Sequence, residues 1–236
     1  IRFAKAEHSE DAAENNWNDS THPRKERAIR VIRESMPDLL GVQEARDLQI
    51  NDLREALPEY AFYGIGRDDG KTGGEYSGIY YRKDRFKCVD QGSFWLSAEP
   101  EKPGTTFYLA PNAVPRIASW VKLDDRQTGR RYLMVNSHWD HISESAREQS
   151  AALIRKRIES LGRNMPTIVT GDFNSKEDTP AVAKVRGDHD PTGMQLKDSY
   201  RVLYPERTPE EATFNGWQDV SKGSRIDFIL ASDEFK

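Results

Sequence analysis

The sequence predicts one α/β domain over residues 1–236, on three observations. Helix-like and strand-like segments alternate along the chain. Several strand-like runs are short and apolar throughout, as strands covered on both faces are, and three of them run directly into acidic or polar residues. With 36% hydrophobic residues, nine Phe, nine Tyr and five Trp, the chain has more to bury than disordered sequences do.

The elements follow in order. After an acidic, Asn-rich opening, Pro23 starts an amphipathic helix over Arg24 to Ser35, with Ala28, Ile29, Val31 and Ile32 among charges. Asp38 to Gln43 is a buried strand ending at Glu44, Leu48 to Leu57 a helix closed by Pro58, and Tyr60 to Ile65 the next strand. A glycine-rich loop from Gly64 leads to the strand Gly78 to Tyr81. Arg85 to Leu96, Ile117 to Leu123 and Arg131 to Ser137 read as strands, the last two joined by a turn over 124–129. Ser143 to Leu161 carries Ala146, Gln149, Leu153, Ile154, Ile158 and Leu161 at helical spacing, with Gly162 as its stop. Thr167 to Thr170 is a β-branched strand, a helix is expected near Ser175 to Lys184, and Arg225 to Leu230 is the final strand.

Composition narrows the function. Lys and Arg number 35 against 39 Asp and Glu, a net charge of −4, which argues against a strongly basic nucleic-acid surface and favours a small phosphorylated molecule or a short nucleic acid. Cys88 is the sole cysteine, so an intrachain disulfide and a multi-thiolate zinc site are excluded. No apolar run approaches the ~20 residues of a membrane span. Either a cytoplasmic or a secreted location fits, and Ile1 to Ala4 reads as the start of a processed or trimmed chain.

The chemistry-bearing residues sit at strand ends. Val42-Gln43-Glu44, Val135-Asn136-Ser137-His138 and Val169-Thr170-Gly171-Asp172-Phe173-Asn174 each place them where layered α/β proteins build a shared crevice. Glu44 after a buried strand suits a hard divalent cation, although a surface Glu opening a loop reads the same way. Asp172 and Asn174, two apart in a tight turn, can face one point and hold a water or leaving oxygen; capping the following helix is the plainer alternative. His138-Trp139-Asp140-His141 offers a donor to a phosphate oxygen in His138, with Asp140 or His141 in a supporting or metal role, and the oxygen-rich partners favour magnesium, calcium or manganese over zinc. Arg116 suits bidentate contact with a phosphate, and the Tyr80 hydroxyl can donate to the same group. Asp227, a charge within an apolar strand, needs a partner; orienting a histidine is one use.

Val42-Gln43-Glu44-Ala45, Gly78-Ile79-Tyr80-Tyr81-Arg82, the segment Asn136 to His141, Gly171-Asp172-Phe173-Asn174 and the segment Ser224 to Ile229 together resemble, in order, the endonuclease/exonuclease/phosphatase family. The resemblance implies a four-layer α/β sandwich, two packed mixed β-sheets flanked by helices, that hydrolyses phosphoesters with Mg²⁺ or Mn²⁺. It implies that Glu44 ligates the metal, His138 contacts the scissile phosphate, Asp172 and Asn174 position the attacking water, and Asp227 orients the base histidine. Tyr80, Arg116 and His141 fall to substrate binding. Asn16-Trp17 and the segment Thr213 to Trp217 have the style of a bacterial subgroup. Family members also open with an Asn-tipped strand and close with Ser-Asp-His; neither is present, so the domain is expected to be incomplete at its C-terminus. The alternatives are an impaired phospholigand-binding or partner-binding member and, on Glu44 and Asp172 alone, a two-carboxylate glycosidase.

Overall fold

The computed structural model describes residues 17–18, 24–190, 192–216 and 219–235; the expectations for Ile1 to Ala4, Asn16, Pro23 and Trp217 lie outside them. Among the described residues nine strands form two sheets. The first has the order β1-β3-β2, with β1 Leu39–Ala45, β2 Tyr60–Tyr63 and β3 Tyr76–Arg82, antiparallel throughout. The second is mixed, ordered β4-β5-β6-β7-β9-β8: β4 Phe86–Trp95, β5 Ile117–Asp125, β6 Arg131–His138, β7 Thr167–Asp172, β8 Leu196–Asp198 and β9 Asp227–Ser232. Only β6 and β7 run parallel, and their crossover is the long helix α3, Glu144–Leu161.

Side-chain alternation sorts the core into layers. Helices α1 (Arg24–Ser35) and α2 (Asp47–Ala56) cover the outer face of the first sheet through Ile32, Ile50 and Leu53, which meet Val42, Tyr76 and Tyr80. Between the sheets lie Ile79, Tyr81, Val121, Leu123 and Met134. Helices α3 and α4 (Pro180–Arg186) pack on the outer face of the second sheet against Leu133, Val135, Val169, Phe228 and Leu230. Two sheets between helical layers give the four-layer sandwich that the resemblance implies.

The α3 boundaries have local causes. Ser143 Oγ accepts from Ala146 N at 3.2 Å, and Gly162 N donates to Ile158 O at 2.7 Å. Ser150 is buried in this helix and Gln149 is exposed, one position away from the expected stripe. Tyr60 to Ile65 is a strand only as far as Tyr63. The three-residue strand β8 and the five-residue helix α5 (Ser199–Leu203) are too short for a periodic signal.

One polar knot ties the sheets together near their site end. Asn136 Nδ2 donates to the carbonyls of Val42 and Gly78, both at 2.9 Å; its Oδ1 accepts from Gln43 Nε2 at 2.6 Å and Thr170 Oγ1 at 3.0 Å. Asn136 is fully buried and satisfied on both ends of its amide. Gly41 admits this close approach: a Cβ there would lie 2.5 Å from Thr170 Oγ1 and 2.6 Å from Asn136 Oδ1.

Candidate active site

Three adjacent strands deliver one row of side chains. His138 pairs with Asp172 across β6 and β7, and Asp172 with Asp227 across β7 and β9, so all three share one rung. The residue after each forms a second row on the helix side. Trp139, Phe173 and Phe228 stack there, with ring centroids 4.1 Å apart at 6° and 5.1 Å apart at 15°. Alternation thus makes one surface of the rung polar and the other an aromatic column.

Glu44 reaches the row from the opposite sheet through a bulge. Pairing passes from Val42 with Gly78 to Ala45 with Tyr76, leaving Gln43 and Glu44 together opposite Ser77. Regular pleating would set Glu44 beside Val42, among the apolar side chains of α2. The extra residue, with Glu44 at φ +64°, gives that buried position to Ala45 and turns the carboxylate the other way. One ligand atom from each of Glu44, His138 and Asp172 then lies within 4.8 Å of the other two.

The donor set fits a divalent cation. Burial and then the charge of Asp227 push Asp172 up to about 7, against the lowering hydrogen bond from Asn174 N at 2.8 Å. Burial also raises Asp227. A dication offsets this crowding of desolvated negative charge. His138 is 7% exposed, and Nδ1 is buried without a hydrogen-bond partner among the described residues. Burial, then the charges of Arg116 and Arg67, hold its pKa well below the usual value, so the ring is neutral near pH 7. Its Nε2 stands 3.6 Å from Asp172 Oδ2, outside hydrogen-bond range.

Asn174, at φ +46°, donates from Nδ2 to Trp139 O at 3.0 Å. The turn caps no helix, because α4 begins only at Pro180. Gly171 is obligatory, as a Cβ would sit 2.1 Å from the Ser137 carbonyl oxygen. Asp140 accepts from Ile142 N, Ser143 N and the Tyr108 hydroxyl, so its carboxylate is engaged in building the loop. Arg116, 6% exposed, contacts His141 Nδ1 through Nη2 at 2.9 Å.

Tyr80 does not join this group. Its ring is fully buried on the α2 side against Phe62, and its hydroxyl donates to Ile50 O at 3.3 Å. Ile79 and Tyr81 take the inter-sheet face of β3, so pleating sends Tyr80 away from the crevice. The sequence reading also passed over Arg67 and Glu75, a part-buried pair at 2.6 Å within the glycine-rich loop. Two opposite charges among glycines were the available signal.

Beside the row, Arg201, Arg207 and Arg225 converge on Glu177, and Arg225 also meets Asp198 at 2.6 Å. Burial opposes ionisation of Glu177, but hydrogen bonds from Arg201 and Arg225 prevail and hold its pKa at about 2. Because the folded value is depressed, this stabilisation is full above the unfolded value of about 4.5 and is lost as pH falls towards 2. Glu177→Gln is therefore expected to be less stable than the parent by about 2 kcal/mol at pH 7. In urea unfolding the gap narrows by pH 3; a gap independent of pH would contradict the ion-pair account.

The profile of the Endonuclease/Exonuclease/phosphatase family matches residues 6–236. The chain belongs to this family. An endonuclease/exonuclease/phosphatase from Bacteroides vulgatus superposes with a TM-score of 0.84 at 34% identity, covering 99% of this chain and 84% of that one. A mannosyl-6-phosphatase of Bacteroides thetaiotaomicron gives 0.79 at 34% identity, covering 98% and 83%. Among curated relatives, the Ccr4 3′-5′-exoribonuclease subunit of the CCR4-Not complex from Mycosarcoma maydis is 21% identical over 242 residues, 81% of this chain and 36% of that protein. The chain spans about a third of the length of the curated relatives it matches. The family's members are phosphoester hydrolases, both nucleases and phosphatases. Among the described residues no helix is long and apolar enough to cross a membrane.

Proposed function

We propose that the chain is a divalent-metal-dependent hydrolase of phosphoester bonds, acting by attack of water on phosphorus. The observation that carries this reading is the convergence of Glu44, His138 and Asp172 within 4.8 Å, from two sheets, with the charge of the buried Arg116 acting on His138 and Asp172. Glu44 and Asp172 would hold Mg²⁺ or Mn²⁺ through oxygens, the ligands both ions favour. When bound, such an ion supplies charge stabilisation at the phosphate oxygens. His138, neutral and buried, donates to the scissile phosphate, and the Asp172–Asn174 turn positions the attacking water. Asp227, paired with Asp172 on the same rung, adds negative charge beside the ion.

The substrate is a small phosphorylated molecule or a short nucleic acid. The net charge of −4 supports the smaller ligand, as does the likeness to a mannosyl-6-phosphatase. With p-nitrophenyl phosphate and bis(p-nitrophenyl) phosphate, Mn²⁺-dependent release that chelator abolishes is the expected result. Glu44→Ala should lower it by on the order of 10³-fold. Release from neither ester, or release indifferent to chelator, overturns the reading.

A further inference from the structure

Arg116 is a buried cation with no ion-pair partner among the described residues, although Glu75, Asp140 and Asp172 act on it at longer range. Its guanidinium carries five N–H donors and accepts nothing. Nη2 meets His141 Nδ1 at 2.9 Å, whereas Nε and Nη1 are buried without a partner among the described residues. No described carboxylate lies within ion-pair distance of it. Glu75 is taken by Arg67 at 2.6 Å, and Asp140 by two backbone amides and Tyr108. A desolvated charge with orphaned donors is costly unless an anion completes it.

The position is beside the reacting groups. The charge of Arg116 is felt at both His138 and Asp172. Because the arginine can only donate, His141 Nδ1 must accept, which puts the histidine proton on Nε2 and adds a further donor next to the guanidinium. Burial and the arginine's charge keep that ring neutral.

Around Arg116 the glycine-rich loop and the loop before β5 close on each other. Trp95 Nε1 donates to Arg67 O at 2.6 Å. A Cβ on Gly104 would lie 2.9 Å from the Asp68 carbonyl oxygen, and one on Gly70 3.1 Å from the Trp95 ring. The two loops are therefore in direct contact at this end.

We propose that Arg116 and His141 form a terminal-phosphate subsite that selects phosphomonoesters over internal phosphodiesters, an inference that rests on the hydrolase reading above. A phosphomonoester brings a second negative charge and no second ester group. The two carboxylates of Glu44 and Asp172 match the charge of one dication, so the additional charge of the monoester falls to the arginine. A fork of paired N–H groups fits two oxygens of one terminal phosphate. The reaction balances as water plus phosphomonoester giving alcohol plus inorganic phosphate: the water oxygen bonds to phosphorus, the ester P–O bond breaks, and the alcohol oxygen leaves with a proton.

Two arms test it. In chelator, inorganic phosphate should raise the melting temperature of the metal-free protein and leave that of Arg116→Gln unmoved, although the variant is at least as stable without phosphate. With Mn²⁺, Arg116→Gln should lower kcat/KM for p-nitrophenyl phosphate at least 100-fold and for bis(p-nitrophenyl) phosphate less than 10-fold. Arg116→Lys keeps the charge without the fork and should fall between, which guards against misfolding of the glutamine variant. Equal phosphate protection of parent and variant, or equal losses on both esters, overturns the subsite. If the parent hydrolyses neither ester, the hydrolase reading fails, and the phosphate arm alone decides the anion site.

Discussion

Asp172→Asn is expected to abolish metal-dependent hydrolysis and, in the same protein, to raise the metal-free melting temperature. The carboxylate shares a rung with Asp227 and His138 and meets Glu44 from the other sheet. Burial and the charge of Asp227 lift its pKa to about 7. A carboxyl raised in the folded state destabilises it: the penalty is absent below the unfolded value near 4, grows between 4 and 7, and is full above 7. Asparagine removes the charge and can still accept the Asn174 N–H. The expected gain at pH 7.5 in chelator is about 2 kcal/mol, or several degrees in melting temperature, shrinking towards pH 4. Hydrolysis should fall on the order of 10³-fold, and added Mn²⁺ should stabilise the parent but not the variant. A variant that melts lower than the parent in chelator would contradict this account of the charge cluster.

Phe173→Ala carries the largest expected loss of stability. The ring is fully buried between Trp139 and Phe228, and its neighbours Asp172 and Asn174 depend on where the turn lies. Truncation opens a cavity in the aromatic column, costing about 3 to 5 kcal/mol. For a chain of this size that is roughly 10 °C, readable by calorimetry or urea unfolding. Activity should fall as well, since the column backs all three residues of the polar row. Phe173→Leu keeps most of the volume and should lose less than half as much. Equal losses for the two would argue that the column is not close-packed.

Much of the site was legible because its residues end strands. Glu44, His138 and Asp172 each follow an apolar run, and a strand end in a layered fold has few places to put a side chain. The bulge that aims Glu44 was not legible, because one extra residue in Gln43-Glu44 has no signature until the partner strand is known. Tyr80 failed for the opposite reason. In Ile79-Tyr80-Tyr81 every residue is apolar enough for either face, so the strand's period cannot say which side meets the crevice. Asn136 lay unremarked in the segment that leads to His138, because its partners Val42 and Gly78 belong to the other sheet. The Arg67–Glu75 pair was hidden by a loop whose closure depends on Trp95 and the segment beyond it.

The central claim is that side chains from two sheets converge on one divalent ion, and crystals soaked in Mn²⁺ test it most directly. The account predicts an anomalous scattering peak between Glu44, His138 and Asp172 in the parent and none there in Glu44→Gln. A peak elsewhere, or one at this place that survives the glutamine substitution at full height, would contradict it.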